Sequence, residues 1–161
     1  MNEEQHENHV WLGQLVGEWR CELAGLDAEG KPGKAGAGHE SVRRIGELWV
    51  VTEGTGASPD APMAHYHSTL GYDVRRGRFR GCFIGGDMSY FWDYDGEIDA
   101  TRRVLSLFAD GPGFEPPHAI VRYVDEMEFI GPDERILRSH LVGADGVKQP
   151  PFMQIRSWRE K

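Results

Sequence analysis

HYHSTLGYDVRRGRFRGCFIGGDMSYFWDYDGEID, residues 65–99, is the stretch whose reading decides the fold. It divides into three short strands, His65 to Tyr72, Arg78 to Ile84 and Tyr90 to Tyr94. Asp73-Val-Arg-Arg-Gly77 and Ile84-Gly-Gly-Asp87 supply the turns between them. Aromatic and β-branched runs bounded by Gly and Asp are the signature of an antiparallel meander.

The same grammar recurs on both sides. Upstream, Trp19 to Leu23, His39 to Ile45 and Glu47 to Glu53 read as strands. Downstream, Val104 to Ala109, Ala119 to Ile130, Arg135 to Val142 and Phe152 to Trp158 complete the set. Ala24 to Gly38 reads as a long mobile loop, and Gly54 to Pro62 as a second loop broken by Ser58-Pro-Asp-Ala-Pro62. About ten sequential strands with no helix between them predict an all-β, antiparallel up-and-down barrel, because closure removes exposed edges. A two-sheet sandwich is the alternative. Ahead of the strands, Val10, Trp11, Leu12, Leu15 and Val16 cluster at helical spacing, with Asn8 as N-cap and Gly17 as stop. This short helix is expected to close one end, with residues 1–7 frayed. The 161 residues read as one domain, large enough for a core without staples.

The formal charge of −8 opposes non-specific nucleic-acid binding. Arg75-Arg76-Gly-Arg78, the densest basic spot, reads as a solvated turn. No run of about 20 apolar residues suggests a membrane helix. The opening MNEEQHENHV is acidic and unlike a secretory signal. Cys21 falls on the face of Trp19 and Leu23, whereas Cys82 has the opposite parity to Phe79 and Phe83. Two thiols on opposite faces read as reduced cysteines of a cytoplasmic protein.

LGYDVRRGRFRG, GGDMSYFWDYDGEID and VLSLFADG together resemble an uncharacterised bacterial domain family with a lipocalin-like, calycin-type barrel. The shared elements are Gly71-Tyr72-Asp73, Gly77, Asp87-Met88-Ser89, Tyr90 to Trp92 and Gly96-Glu-Ile-Asp99. Leu15-Val-Gly-Glu-Trp19 resembles the family's start and Met153-Gln-Ile-Arg-Ser-Trp158 its Met-rich last strand. The resemblance implies the fold and carries no catalytic residues.

Chemistry must therefore be read from the residues themselves. Tyr90, Trp92 and Tyr94 share a face that we place in the lumen. Tyr123 and Asp125 share the inward parity of their strand, and a buried Asp125 needs a partner or a raised pKa. Trp19 adds aromatic area from the first strand. His67 alternates with His65, and with His140 they could build a metal or proton-transfer cluster, although no carboxylate accompanies them at ligand spacing. Met88 and Met153 complete the expected ligand-binding set of Trp19, His67, Met88, Tyr90, Trp92, Tyr123, Asp125, His140 and Met153. Nucleophilic triads, phosphate loops and zinc-finger spacings do not occur.

Three functions compete. The first is a barrel that encloses a small apolar or aromatic molecule and needs no cofactor. The second is a haem barrel acting on reactive nitrogen species, since similar nitrobindin-like barrels bind haem through a late-strand His, here His140. Gly17-Glu-Trp19-Arg-Cys-Glu-Leu23 lacks the later glycines of their Gly-x-Trp-x-Gly-x-Gly opening. The third is a filled, non-catalytic scaffold that forms a homodimer through Trp49, Phe91 and Trp158.

Overall fold

In the computed structural model, which describes residues 3–58 and 62–161, ten strands follow one another around a closed barrel. They are β1 (Gly17–Gly25), β2 (Gly36–Ile45), β3 (Trp49–Gly56), β4 (Ala64–Asp73) and β5 (Arg78–Gly85), then β6 (Trp92–Ile98), β7 (Val104–Pro112), β8 (Ile120–Gly131), β9 (Glu134–Val142) and β10 (Met153–Arg159). Each pairs antiparallel with its sequence neighbours, and β10 returns to pair with β1. This is the up-and-down barrel expected from the sequence. Part of the expected 58–62 breaker, and the first two residues of the expected frayed segment, lie outside the described residues.

The turns form for local reasons. Between β4 and β5, Asp73 Oδ1 accepts from the backbone N–H groups of Arg75 (3.0 Å) and Arg76 (3.1 Å). Gly77 then adopts φ +65°, a left-handed conformation that glycine enters without a Cβ clash. The expected mobile loop is shorter than its sequence suggested, because β1 runs to Gly25 and β2 begins at Gly36. Within it, Asp27 Oδ1 accepts from the N–H groups of Glu29 and Lys31.

Other boundaries differ from the sequence reading as well: β3 spans Trp49–Gly56 rather than Glu47 to Glu53, so the second loop starts after Gly56. Helix α1 spans Glu7–Leu12 with His6, not Asn8, as N-cap, and a 3-10 turn at Gly13–Leu15 carries the chain into β1. Two imidazoles perform the capping box: His6 Nδ1 accepts from Asn8 N–H at 3.1 Å, and His9 Nδ1 accepts from His6 N–H at 2.9 Å. The His6 ring also stacks on Tyr72, with centroids 4.8 Å apart, so the chain is anchored from His6 onward. The third meander strand begins at Trp92 rather than Tyr90. Tyr90 leaves the ladder and its hydroxyl donates to the Asp110 carbonyl at 2.9 Å.

Helix α1 and its 3-10 extension plug one end. Trp11, Leu12 and Leu15 pack with Trp19, Phe79 and Phe129 in a dry aromatic layer. Trp11 meets Phe79 and Phe129 edge to face at 6.0 and 5.6 Å, and its indole N–H donates to the Arg102 carbonyl. Leu12 is fully buried whereas Val10, on the same helix, is 57% exposed. Leu12→Ala should therefore lower unfolding free energy by about 3 kcal/mol. Val10→Ala should change it by less than about 0.5 kcal/mol. Urea denaturation followed by tryptophan fluorescence checks both.

Candidate functional site

Strand alternation assigns each side chain to the lumen or the outer surface. Register carries the assignment from strand to strand: Trp19 opposes Glu40 and Arg159, Leu70 opposes Val50 and Gly81, and Asp125 opposes Leu107 and Ser139. At the plugged end the lumen is dry. Towards the other end, the inward-facing Leu23, Tyr66, Phe83, Trp92, Leu137, Met153 and Ile155 are only half-buried. Several of them, Phe83, Trp92, Leu137 and Ile155, pack against the buried core while keeping part of their surface exposed.

A self-contained ion pair lies between the two halves. Glu40 on β2 accepts from the Arg135 guanidinium of β9 through one carboxylate oxygen, and from the Tyr66 hydroxyl at 2.7 Å through the other. Arg135 also lies over the Trp19 ring, 4.6 Å from its centroid. Burial and the neighbouring Glu40 charge push the Tyr66 phenol well above its usual pKa. Burial, followed by Glu40, pushes the nearby Cys21 thiol up to about 11, although Ser157 Oγ lies 3.2 Å from its sulfur.

Asp125 on β8 is differently placed. Its Oδ2 accepts from the Tyr94 hydroxyl and its Oδ1 from the Ser139 hydroxyl, both at 2.6 Å. Protein atoms crowd its carboxyl, although the residue as a whole is only half-buried. Burial raises its pKa more than the two hydroxyl donors and the field of His140 lower it. Tyr94 is raised as well, by burial first and Asp125 second.

One layer nearer the mouth stands an aromatic cluster. Trp92 meets Tyr90 and Tyr123 edge to face, each at 5.2 Å, and Tyr123 meets Phe152 at 6.1 Å. Gly111 permits this packing, since a Cβ there would lie 2.1 Å from the Trp92 ring. The Tyr123 hydroxyl donates to the Pro112 carbonyl at 2.7 Å, and its ring is buried among Trp92, Phe114 and Phe152.

Of the residues singled out from the sequence, the structure places Trp92, Tyr123, Asp125 and Met153 on the inner face towards the end of the barrel away from the helix. Tyr90 joins them from outside the strand, through Trp92. Trp19 faces inward too, but at the filled end. Met88 is an exposed turn residue whose sulfur accepts from the Trp92 indole N–H at 3.1 Å. His67 points outward: it opposes Glu53, on the parity opposite to Leu70. His140 also points outward, opposite in parity to Ser139.

The histidine cluster is therefore not assembled, because β4 and β9 lie on opposite sides of the barrel. Among the described residues, no group of three or more His, Cys, Asp or Glu side chains could hold a metal ion. His140 is buried against the outer wall, with Nδ1 2.8 Å from the Gln149 carbonyl and Nε2 3.4 Å from a Glu126 oxygen. No described strand presents a histidine to the lumen, so a haem held inside the barrel through His140 does not fit. His39, His65 and His67 instead border an open groove of about 610 Å³ on the outside of β2–β5.

Sequence reasoning missed Glu40, Arg135 and Ser139. For Glu40 a signal existed: it shares parity with Val42 in an alternating strand, which puts a carboxylate on the inner face.

A family model described as "Protein of unknown function (DUF1579)" matches residues 4–159. No curated protein matches the sequence. Among solved structures, the chain is similar to Rv2717c from M. tuberculosis, at 13% identity over 98% of this chain and 100% of that one, with a TM-score of 0.64. It is also similar to the S-type phycobiliprotein lyase CPES from Guillardia theta, at 11% identity over 98% and 94% of the two chains, with a TM-score of 0.60. A third similar structure, EF1p2_mFAP2b bound to DFHBI, shares 10% identity over 94% and 98%, with a TM-score of 0.50. At such identities the likeness shows the fold alone.

The inside-outside assignment is checked by the thiols. Cys21 faces the lumen and is buried, whereas Cys82 lies on the outer face beside Thr69 and is partly exposed. Iodoacetamide at about pH 8 should give a single adduct, on Cys82, in the native protein and a second only after denaturation. Intact-mass spectrometry reads this directly, and equal native labelling of both thiols would refute the register.

Proposed function

We propose that this chain, a member of the DUF1579 family of proteins of unknown function, is a binding barrel that encloses a small apolar or aromatic molecule in the open half of its lumen. The observation that carries the reading is the incomplete burial of inward apolar side chains at this end, Leu23, Leu137 and Ile155 among them. Apolar surface left in contact with water forgoes about 25 cal/mol per Å², which a ligand covering it would recover. The adjoining aromatic cluster supplies flat, polarisable walls, and Asp125 supplies a single polar point for orientation. One similar barrel is described as bound to DFHBI and another is named a phycobiliprotein lyase, which supports the reading at the level of what the fold can accommodate.

The test uses N-phenyl-1-naphthylamine, a neutral aromatic dye that brightens in apolar surroundings. Saturable binding with one site per chain is expected. Ile155→Trp, which fills the lumen, should weaken it at least about tenfold. Ile130→Trp, on the exposed outer face, should leave it unchanged. Urea denaturation of both variants separates loss of space from loss of fold. Absence of saturable binding, or equal binding by Ile155→Trp, would overturn the proposal.

A further inference from the structure

The lumen's charges are unevenly matched. Glu40 and Arg135 neutralise each other. Asp125, by contrast, is held only by two neutral hydroxyls, Tyr94 and Ser139. No lysine or arginine contributes to its field; the one cation-capable contributor is His140, on the opposite face of β9 and engaged with Gln149 and Glu126. A carboxylate has about four acceptor positions, and the two hydroxyls occupy one on each oxygen. The other positions have no donor among the described residues, and the residue as a whole is only half-buried.

The surroundings define what could complete this carboxyl. Trp92 and Tyr94 are two residues apart on β6, and Tyr123 and Asp125 two apart on β8. The Trp92–Tyr123 ring pair therefore stands one layer, about 7 Å, nearer the mouth than the Tyr94–Asp125 hydrogen bond. A ring held at the first layer with a two-carbon arm would bring a terminal amine to the second. Trp and Tyr faces also attract a cation that lies over them.

Building on the binding-barrel reading, we infer that the ligand is a small aromatic amine, its ring against Trp92 and Tyr123 and its cationic nitrogen on Asp125. Such a group provides what the protein omits: a positive charge and charge-assisted N–H donors for a buried carboxylate. Burial keeps the empty Asp125 above the ordinary carboxylate pKa, and an ammonium would draw it back down.

Isothermal titration with three indoles tests the inference: tryptamine, neutral 3-methylindole and indole-3-acetate. Tryptamine should bind at least about tenfold more tightly than the other two. Asp125→Asn should abolish that preference and leave 3-methylindole binding within about twofold. Ser139→Ala keeps the charge and frees an acceptor position, so it should retain or increase the preference for tryptamine; this variant decides the matter if Asp125→Asn does not fold. Equal binding of the three indoles, preference for the acetate, or a preference that survives Asp125→Asn would overturn the amine while leaving the barrel reading intact. Failure of all three indoles in protein that still binds N-phenyl-1-naphthylamine would do the same. Failure of the dye as well would overturn the barrel reading itself.

Discussion

Everything in this molecule depends on the ladder between its first and last strands. Seven residue pairs, from Trp19 opposite Arg159 to Gly25 opposite Met153, turn a ten-strand meander into a closed wall. Without that ladder, β1 to β10 would still form a sheet, but β1 and β10 would be unpaired edges and the interior would open to solvent. Closure also removes the freedom to slip, because a one-residue shift would send every lumen side chain outward. Arg159 reinforces the seam. Its guanidinium lies 4.2 Å from the Trp19 ring centroid and donates to the carbonyls of Val16, Gln14 and Pro132, tying the last strand to the turn that precedes the first.

A closed wall has two ends, and the helix makes them unequal. By filling one with Trp11, Leu12 and Leu15, it confines any ligand to the other. The Glu40–Arg135 pair is the boundary. A buried ion pair stabilises little once desolvation is counted, but removing one partner leaves an uncompensated charge and is strongly unfavourable. Its partners reach it from β2, β4 and β9, so it fixes their relative positions at mid-height.

Much of this architecture is legible in the sequence because a β-barrel is a local code: turn residues mark the corners and alternation marks the faces. Asp73 and Gly77 announce a hairpin, and Tyr123, Asp125, Met127 and Phe129 do share an inner face. Boundaries were less legible where side chains substituted for expected roles. His6 caps the helix in place of a Ser or Asn, and Tyr90 bonds across to Asp110 instead of continuing its strand. The site was legible only in part, because a face is encoded within one strand but a partner is encoded on another. Asp125 could be placed inward from its own neighbours. That Tyr94 and Ser139 would be its donors required the register of the whole wall. His140 shows the converse error: a chemically eloquent residue one position from the inward Ser139 projects to the opposite side.

The division between faces also bears on whether the barrel binds anything. The outer histidines edge a groove, but it is open, and its side chains have water as a sufficient partner. The lumen differs because its groups are incompletely served. Leu23, Leu137 and Ile155 face inward yet are only half-buried, whereas Phe79 and Phe129 are buried at the plugged end. Asp125 is crowded by protein and lacks a cation, although the same lumen supplies one to Glu40. A barrel serving only as a scaffold gains nothing from either feature, and each lowers its stability. The two deficits adjoin each other in the half that the helix leaves open, and one molecule with an apolar ring and a charged nitrogen would remedy both.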